Sequence, residues 1–484
     1  MSLSIKLPPF LTDPKSAAGL IFLAALAARI GFYFWGAPVY YGSSGFQLSG
    51  DFGAWARSIE NLVVHGQYTI ALGSAEGPFF RPPGYGFFIL PFYLIFGNWE
   101  DAYVWIAATQ ILLDAAAAVF LFRAVLMLTG NMISAWLGGL LYAFYFFALG
   151  WTPVLYPEAP SLFFLIAGFY FFVQASKMSD SHKTRLWYWF AFGASWGIAA
   201  LLRIQLLVIL TVPPLVFIWE YIQNRRVMMR PFIFALAGVL LTYGLWPARN
   251  MINYGEPVFI QKLTQGGVWS EDCTSFFGLL KAVQVDHQPQ FSQLLDHEDI
   301  RWPEEISWTA EDSAKIDRAV ALMHDCGRAT QRWKINEGHG DGKILAEHCD
   351  REVATIWEDL TRTAKKRHPF YTSVTVPLMN LSKCFFKSSL EKQKTPAAVR
   401  IAFGIRSALI LAGLFSCLWL FFHQRKKYSA TVVLITASFS AVYLSLSFVA
   451  RHIEMRYLLQ ADVLLLIPLA IIAGEWVIHF KKKT

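Results

Sequence analysis

Long apolar stretches separated by short polar segments dominate this chain. A run of roughly 20 apolar residues is long enough to cross a ~30 Å hydrocarbon core as a helix. Ten stretches meet this description, at 17–36, 103–127, 132–150, 158–175, 187–202, 204–219, 231–248, 399–421, 429–448 and 457–478. Backbone polar groups in lipid must find partners within the chain, so helices are the expected form of each span. The pattern predicts an all-α polytopic membrane protein with about ten transmembrane helices.

The polar segments divide the chain into three parts. We predict a membrane-embedded module at 1–248, a soluble α-rich insert at 249–398 and C-terminal membrane helices at 399–484. The apolar stretch 84–97 has only 14 residues, or ~21 Å of helix at 1.5 Å per residue. It is too short to be counted as a span. We expect juxtamembrane or half-inserted helices in the long loop that follows the first span.

Composition and charge agree with a membrane protein and argue against a nucleic-acid-binding one. Of the 484 residues, 55% are hydrophobic and only 16% are charged, against about a quarter in soluble domains. The net charge is +8, but the insert holds 21 acidic and 19 basic residues and is nearly neutral. The excess positive charge therefore lies at helix ends, where it sets membrane orientation. No nucleic-acid partner is predicted.

The short loops with excess Lys and Arg identify the cytoplasmic side. Each of four segments carries three bases: 176–186, 220–230, 423–428 and the tail from Lys481 to Lys483. Ten spans that start from a cytoplasmic N-terminus place all four inside and the insert outside. We therefore expect a multi-pass membrane protein whose insert lies on the non-cytoplasmic side. A disulfide is permitted there, but Cys273, Cys326, Cys349 and Cys384 allow three pairings.

The predicted topology gathers charged residues from distant parts of the chain on the outer face. They are Asp51, Arg57, Arg81, Glu158, Arg203, Arg249, Arg451, Glu454 and Arg456. Ionisable groups at membrane depth are costly, so they are usually functional or paired. Individual members have simpler explanations. Asp51 is suited to capping a helix, Glu158 to the first turn of one, and any single arginine to a lipid headgroup.

Two other groups of polar residues suggest structure more than chemistry. Asp114 lies within the second predicted span and is expected to pair with Arg29 of the first, as a structural ion pair more than a proton relay. In the insert, Glu337, His339, Asp341 and His348 carry potential metal ligands. Their spacing matches no closed zinc site, so we predict no metal there.

Several short motifs occur in a characteristic order. They are Gly50-Asp51 in the first outer loop, Arg81-Pro82-Pro83-Gly84-Tyr85, Glu158 after a short outer turn, Arg203 in the middle turn, Trp246-Pro247-Ala248-Arg249-Asn250, and Arg456-Tyr457 before the last helix. In that order they resemble the bacterial GT-C transferases related to protein O-mannosyltransferases and to the lipid A aminoarabinose transferase. The resemblance is clearest over 17–270 and 399–465.

The resemblance implies an inverting glycosyltransferase with a polyprenyl-phosphate sugar donor and a periplasmic active site. It matches Asp51 to the catalytic acid of the first loop. The acceptor would be a lipid, a glycan or a protein of the cell envelope, as in lipopolysaccharide modification. Phe52-Gly53 follows Asp51, so the paired acids that bind a metal in some relatives are missing. No cofactor is therefore predicted, although a divalent metal remains an open alternative.

The chemistry of such a transfer assigns roles to the outer residues. A base must take the proton of the acceptor, and cations must hold the leaving phosphate, for which the planar fork of arginine is well suited. We predict Asp51 as the base. Candidates for binding the donor phosphate or substrate are Arg81, Tyr85, Glu158, Arg203, Arg249, Arg456 and Tyr457. The alternative function is a membrane transporter or lipid flippase, although polar groups concentrated at one face favour an enzyme.

Overall fold

The structure is a computed structural model, and the polypeptide it describes is almost entirely helical. It describes residues 8–43, 45–48, 51–73, 77–179, 184–224, 228–262, 270–285, 288–329, 347–386 and 397–483. Within these ranges there is no β-strand, only an isolated bridge between Gln47 and Val154. The predicted all-α class is therefore confirmed.

Long apolar helices form the membrane part. Seven segments are long and apolar enough to cross a bilayer: Pro14–Tyr41, Trp99–Thr129, Glu158–Lys177, Ile204–Gln223, Arg400–His423, Arg425–Ala450 and Met455–His479. An eighth is the pair Met229–Thr242 and Leu245–Tyr254, bent by 48°.

Two further predicted spans correspond to helices that do not meet the same test of length and apolarity. One is Thr184–Leu202, and the other is the short helix Met132–Ala143 with its continuation Phe146–Trp151. Length and apolarity thus support seven or eight spans among the described residues, and do not establish the predicted count of ten.

Close helix packing holds this bundle together. A Cβ added to Gly193 would lie 1.9 Å from the carbonyl oxygen of Ala235, and one added to Gly238 would lie 2.3 Å from that of Phe190. Helices Thr184–Leu202 and Met229–Thr242 therefore touch through their backbones. Such small-residue contacts are a common basis of helix association in membranes, where van der Waals packing takes over from the hydrophobic effect.

Two buried ion pairs cross the interior of the bundle. The predicted pair of Arg29 with Asp114 is confirmed, with a distance of 2.6 Å between Nε and Oδ2 and both side chains 0% exposed. The hydroxyl of Tyr142 donates to the same carboxylate. The second pair joins Arg406 to Asp462 at 2.7 Å, and sequence reasoning missed it.

Two short helices of the first outer loop, Phe52–His65 and Gly84–Phe96, pack on the outer end of Trp99–Thr129. The second is the short apolar helix expected at 84–97. Its first residue contacts the end of Thr184–Leu202 so closely that a Cβ on Gly84 would lie 2.5 Å from the backbone of Leu201. Only glycine fits there, and the contact brings the segment before Gly84 next to Arg203.

The insert folds around a core of its own. Its helices are Glu271–Val283, Gln288–Leu295, Ala310–Asp325 and Glu347–Arg367, followed by Tyr371–Thr375 and Val376–Phe386, which lead back to the bundle. A disulfide joins Cys326 to Cys349, while Cys273 and Cys384 are buried free thiols. This pairing selects one of the arrangements that the sequence left open.

Candidate active site

Asp51 lies at the start of helix Phe52–His65 but does not cap it. The structure shows no capping hydrogen bond from its side chain. Instead, Oδ1 lies 3.0 Å from Nη2 of Arg81, and Oδ2 accepts a hydrogen bond from the hydroxyl of Tyr156. Arg456 approaches Oδ2 to 3.8 Å. The carboxylate is 39% exposed, so it is accessible to a substrate.

Arg81 reaches Asp51 from a stiff segment. Pro82 and Pro83 follow it and restrict the backbone before the helix starts at Gly84. Its guanidinium lies over the rings of Trp55 and Phe80, at 4.9 and 5.0 Å from their centroids. Arginine stacks on aromatic faces in this way while its edge remains able to bind anions.

The ring of Tyr156 links the outer segments of the site. The guanidinium of Arg203 lies 5.5 Å from its centroid and that of Arg456 lies 4.9 Å from it. The same two guanidinium groups lie 5.3 and 5.1 Å from the ring of Tyr457. Two tyrosine rings therefore hold two arginines from distant parts of the chain beside Asp51.

Glu158 and Arg203 form a buried ion pair behind this surface. Glu158 begins helix Glu158–Lys177 and is 0% exposed, and Arg203 stands at the break between Thr184–Leu202 and the 3₁₀ turn Ile204–Thr211. The helix N-terminus favours a carboxylate at this position. The pair fixes the outer turn of one helix to the outer end of another.

Residues 452–457 contribute a second carboxylate to the surface. Glu454 lies 2.5 Å from Nε of Arg456 and 2.9 Å from Nε2 of His452, and it accepts a hydrogen bond from the Tyr457 hydroxyl at 3.2 Å. Burial opposes its ionisation, but the hydrogen bond to His452 and the charge of Arg456 prevail and lower the pKa of Glu454 to about 2. Glu454 is therefore ionised at neutral pH.

The charges of this site balance. The carboxylates of Asp51, Glu158 and Glu454 face three guanidinium groups, those of Arg81, Arg203 and Arg456. Even so, hydrogen-bonding capacity remains unused. The buried Nε–H groups of Arg81 and Arg203 have no hydrogen-bond partner within the described residues. Such orphaned donors require an explanation, for example an anionic ligand.

Two predicted site residues have other partners. The guanidinium of Arg249 donates to the backbone carbonyls of Tyr68 at 2.9 Å and Pro78 at 3.1 Å, so it fastens the first outer loop to helix Leu245–Tyr254. Tyr85 is 0% exposed, and its hydroxyl donates to Gln110 at 2.9 Å. The structure thus places Tyr85 in the packing behind the site and corrects its assignment to the binding surface.

The sequence placed Glu454 on the same face as Asp51 but gave it no role in the site. Tyr156 and His452 were not identified as site residues. His452 gave no signal at all. A tyrosine directly before Pro157-Glu158, on a short outer turn, was a usable hint, because such a turn can hold its ring against the same face as Glu158.

The surroundings of Asp51 do not fit a divalent cation. Both of its oxygens contact donor groups of Arg81, Arg456 and Tyr156, whereas a metal site needs several carboxylate or imidazole ligands. The described residues contain no group of three His, Cys, Asp or Glu side chains that could hold a metal ion. Of the cluster considered in the insert, Glu337, His339 and Asp341 lie outside the described residues, as does the side chain of His348.

The chain is similar to known proteins both in sequence and in fold. Residues 50–247 match the family of dolichyl-phosphate-mannose-protein mannosyltransferases. The fold is similar to that of the Archaeoglobus fulgidus oligosaccharyltransferase tethered to an acceptor peptide, with a TM-score of 0.51 and 14% identity over 96% of this chain and 50% of that one. The chain thus spans about half the length of the archaeal protein.

Other matches are weaker. ArnT from Cupriavidus metallidurans aligns in its apo state with a TM-score of 0.32 and 13% identity, over 95% of this chain and 78% of that one. No curated protein sequence matches. The family match and the shared fold confirm the predicted resemblance to the GT-C transferases.

Proposed function

We propose that this protein is an inverting glycosyltransferase that moves a sugar from a polyprenyl-phosphate donor to an envelope acceptor at the periplasmic face of the bacterial inner membrane. The observation that carries the proposal is the convergence of Arg81, Arg203 and Arg456 around Tyr156 and the exposed carboxylate of Asp51. The match to a family named for a dolichyl-phosphate-linked sugar supports a lipid-phosphate donor.

Asp51 acts as the general base in the proposed reaction. An acceptor hydroxyl attacks the anomeric carbon as the bond from that carbon to the phosphate oxygen breaks. The hydroxyl proton passes to Asp51, and the polyprenyl phosphate leaves with the electron pair of the broken bond. A single displacement of this kind inverts the configuration at the anomeric carbon.

The arginines hold the leaving phosphate in this proposal. The Nε–H groups of Arg81 and Arg203 are available to phosphate oxygens without loss of existing hydrogen bonds. Drawing Arg81 and Arg456 toward the phosphate also releases the oxygens of Asp51 that they contact. Before the donor binds, the carboxylate of Asp51 is held by Arg81 and Arg456. Donor binding would free it to accept the proton of the acceptor hydroxyl.

The location of the site on the outer face rests on two observations. The short basic loops lie at the ends of the helices opposite to Asp51, as the orientation of Glu158–Lys177 illustrates: Glu158 is in the site, and Lys177 is in a basic loop. The disulfide of the insert, Cys326 with Cys349, suits an oxidising compartment.

Reconstitution tests the proposal directly. Purified protein in liposomes is supplied with undecaprenyl-phosphate-linked sugars and envelope lipid acceptors, and mass spectrometry follows the donor, the free undecaprenyl phosphate and the glycosylated product. We expect the product and undecaprenyl phosphate to appear together. Movement of the donor across the bilayer without cleavage would instead support the flippase alternative. Comparing envelope glycans and lipids of cells with and without the gene identifies the acceptor.

A further inference from the structure

A second polar site lies at the opposite end of the bundle from Asp51. It is a cavity of about 260 Å³ whose lining includes Lys177. Helix Glu158–Lys177 has 20 residues, and this length separates the cavity from Glu158 in the candidate active site by ~30 Å. The cavity therefore belongs to the other membrane surface and is independent of the proposed transfer reaction.

Positive charge dominates the lining. The charged residues that line it are Lys177, Arg185, Glu220, Lys426 and Lys427, four cations against one carboxylate. The four cations come from two of the short basic segments found in the sequence, 176–186 and 423–428, and Glu220 comes from a third. Hydroxyl groups of Ser176, Ser429 and Thr431 add hydrogen-bonding capacity. The rings of Phe172, Trp189 and Phe217 form an apolar portion of the wall.

The positions of these cations are electrostatically unfavourable. Arg425, Lys426 and Lys427 are the first three residues of helix Arg425–Leu444, which has no acidic residue in its first turn. Positive charges at a helix N-terminus oppose the helix dipole. Lys427 and Lys177 line the same cavity, so their like charges repel each other. An anion in the cavity would relieve both unfavourable interactions.

Membrane orientation alone does not explain this geometry. Basic residues that only mark the cytoplasmic side need to be exposed near a helix end. Arg185 is instead 8% exposed, and its Nε donates to the carbonyl of Ala175 at 3.0 Å. The buried guanidinium lines the wall of a recess, and the exposed lysines lie at its rim. Contact between basic residues and the headgroup layer does not require a recess.

We propose that this recess binds an anion that carries a phosphate group. Basic pockets between transmembrane helices are typical binding sites for anionic headgroups, and about 260 Å³ is below the range of pockets for drug-sized ligands. A phosphate group reaches it from two sources, an anionic phospholipid headgroup or a soluble phosphate. The apolar portion of the wall suits the lipid, whose glycerol and first methylene groups would contact it.

The test compares two double variants that remove the same charge. Lys177→Gln/Lys427→Gln removes two exposed cations of the recess. Arg123→Gln/Arg230→Gln removes two exposed cations elsewhere on the membrane helices, neither of which lines it. Native mass spectrometry of the detergent-purified proteins, titrated with phosphatidylglycerol and with phosphatidylcholine, gives the affinity for each lipid. Melting temperatures verify that all variants are folded.

We expect the lysine variant to bind phosphatidylglycerol at least about tenfold more weakly than the wild type, because each basic residue near the surface contributes substantially to anionic-lipid binding. The arginine variant should bind like the wild type, and Lys177→Arg/Lys427→Arg should retain binding. Displacement of the lipid by millimolar inorganic phosphate assigns the recess to a soluble phosphate, and retention assigns it to the lipid. Equal phosphatidylglycerol affinity in both double variants, with no lysine-dependent binding of inorganic phosphate, overturns the proposal.

Discussion

The protein uses the same three side chains, arginine, aspartate and tyrosine, in two very different settings. In the bundle, all three nitrogens of the Arg406 guanidinium have partners: Asp462 at 2.7 Å, the carbonyl of Cys384 at 2.9 Å and the hydroxyl of Tyr443 at 3.0 Å. Both charged side chains are 1% exposed. In the outer site, Asp51 is 39% exposed, and Nε of its partner Arg81 has no hydrogen-bond partner within the described residues.

The difference shows how to separate structural from functional ion pairs in a membrane protein. A pair that is buried and fully hydrogen-bonded gains nothing from a ligand, and its removal leaves an uncompensated charge in the interior. When a pair is accessible and incompletely hydrogen-bonded, its arginine can exchange the carboxylate for an anionic group of the substrate with little loss of free energy. Composition alone does not distinguish the two cases. Exposure combined with unused donors separates the Asp51 pair from the Asp462 pair. An unused donor alone does not, because the fully buried Arg29 also has one at Nη2.

The largest expected effect is on stability, at the buried pair. Asp462→Asn leaves the guanidinium of Arg406 without a counter-charge in the bundle, and breaking a buried pair costs about 3–5 kcal/mol. We expect a much lower melting temperature and yield, with normal transfer per folded molecule. The thermal denaturation curve and the specific activity of the folded fraction verify this. A stable but inactive Asp462→Asn variant would mean that the buried pair takes part in the chemistry.

The matching substitution in the outer site should have the opposite outcome. Asp51→Asn retains the shape of the side chain and removes its basicity, so transfer should fall by ~10²-fold or more. The melting temperature should hardly change, because Asp51 is accessible and does not cap its helix. The assay is the appearance of glycosylated product in proteoliposomes. If Asp51→Asn is active while Glu158→Gln is inactive in a folded protein, the two carboxylates have exchanged roles.

A smaller effect is expected at Arg249, which lies near the site but binds backbone carbonyls. Arg249→Gln should destabilise the first outer loop by about 1–3 kcal/mol, as expected when buried acceptors lose a charged donor. Susceptibility of that loop to limited proteolysis is the measurement. Transfer should decline only as far as the loop opens. A complete loss of transfer without loosening of the loop would return Arg249 to the phosphate-binding set.

The smallest effect is expected from metal removal. Because guanidinium groups already neutralise Asp51, transfer should persist after incubation with EDTA and passage through a chelating resin. The test is the rate before and after the treatment, with added Mn²⁺ and Mg²⁺ as controls. If transfer is lost with EDTA and restored by either ion, a divalent cation binds in the site and is needed for transfer.

The sequence predicts those features that depend on local pattern. The apolar stretch at 84–97 was expected to form a separate short helix, because it is too short to be a span. The pairing of Arg29 with Asp114 followed from two charges in successive spans, which are commonly neighbours. The pair of Arg406 with Asp462 was missed because it joins two helices with another between them in sequence. Predicting it requires knowing which helices pack together.

The same limit applies to the site. Motif order was sufficient to bring Asp51, Arg81, Arg203 and Arg456 to one face, because topology alone determines the face. It gave no information on the direction in which a side chain points. Tyr85 is therefore in the packing, although its motif neighbour Arg81 contacts Asp51. The broken helices near Phe144 and Tyr243 likewise interrupt spans that hydropathy reads as continuous.

Affinity for the bare lipid phosphate tests the central claim most directly, since it measures anion binding without the chemistry of transfer. Undecaprenyl phosphate would be titrated into the purified wild type and into Arg81→Lys, Arg203→Lys, Arg456→Lys and Asp51→Asn. Lysine retains the charge but loses the planar fork, so we predict about tenfold weaker binding for each lysine variant. Asp51→Asn should bind at least as tightly as the wild type, because Arg81 is then no longer neutralised. Unchanged affinity in all three lysine variants would contradict the account and leave these arginines as structural partners of their carboxylates.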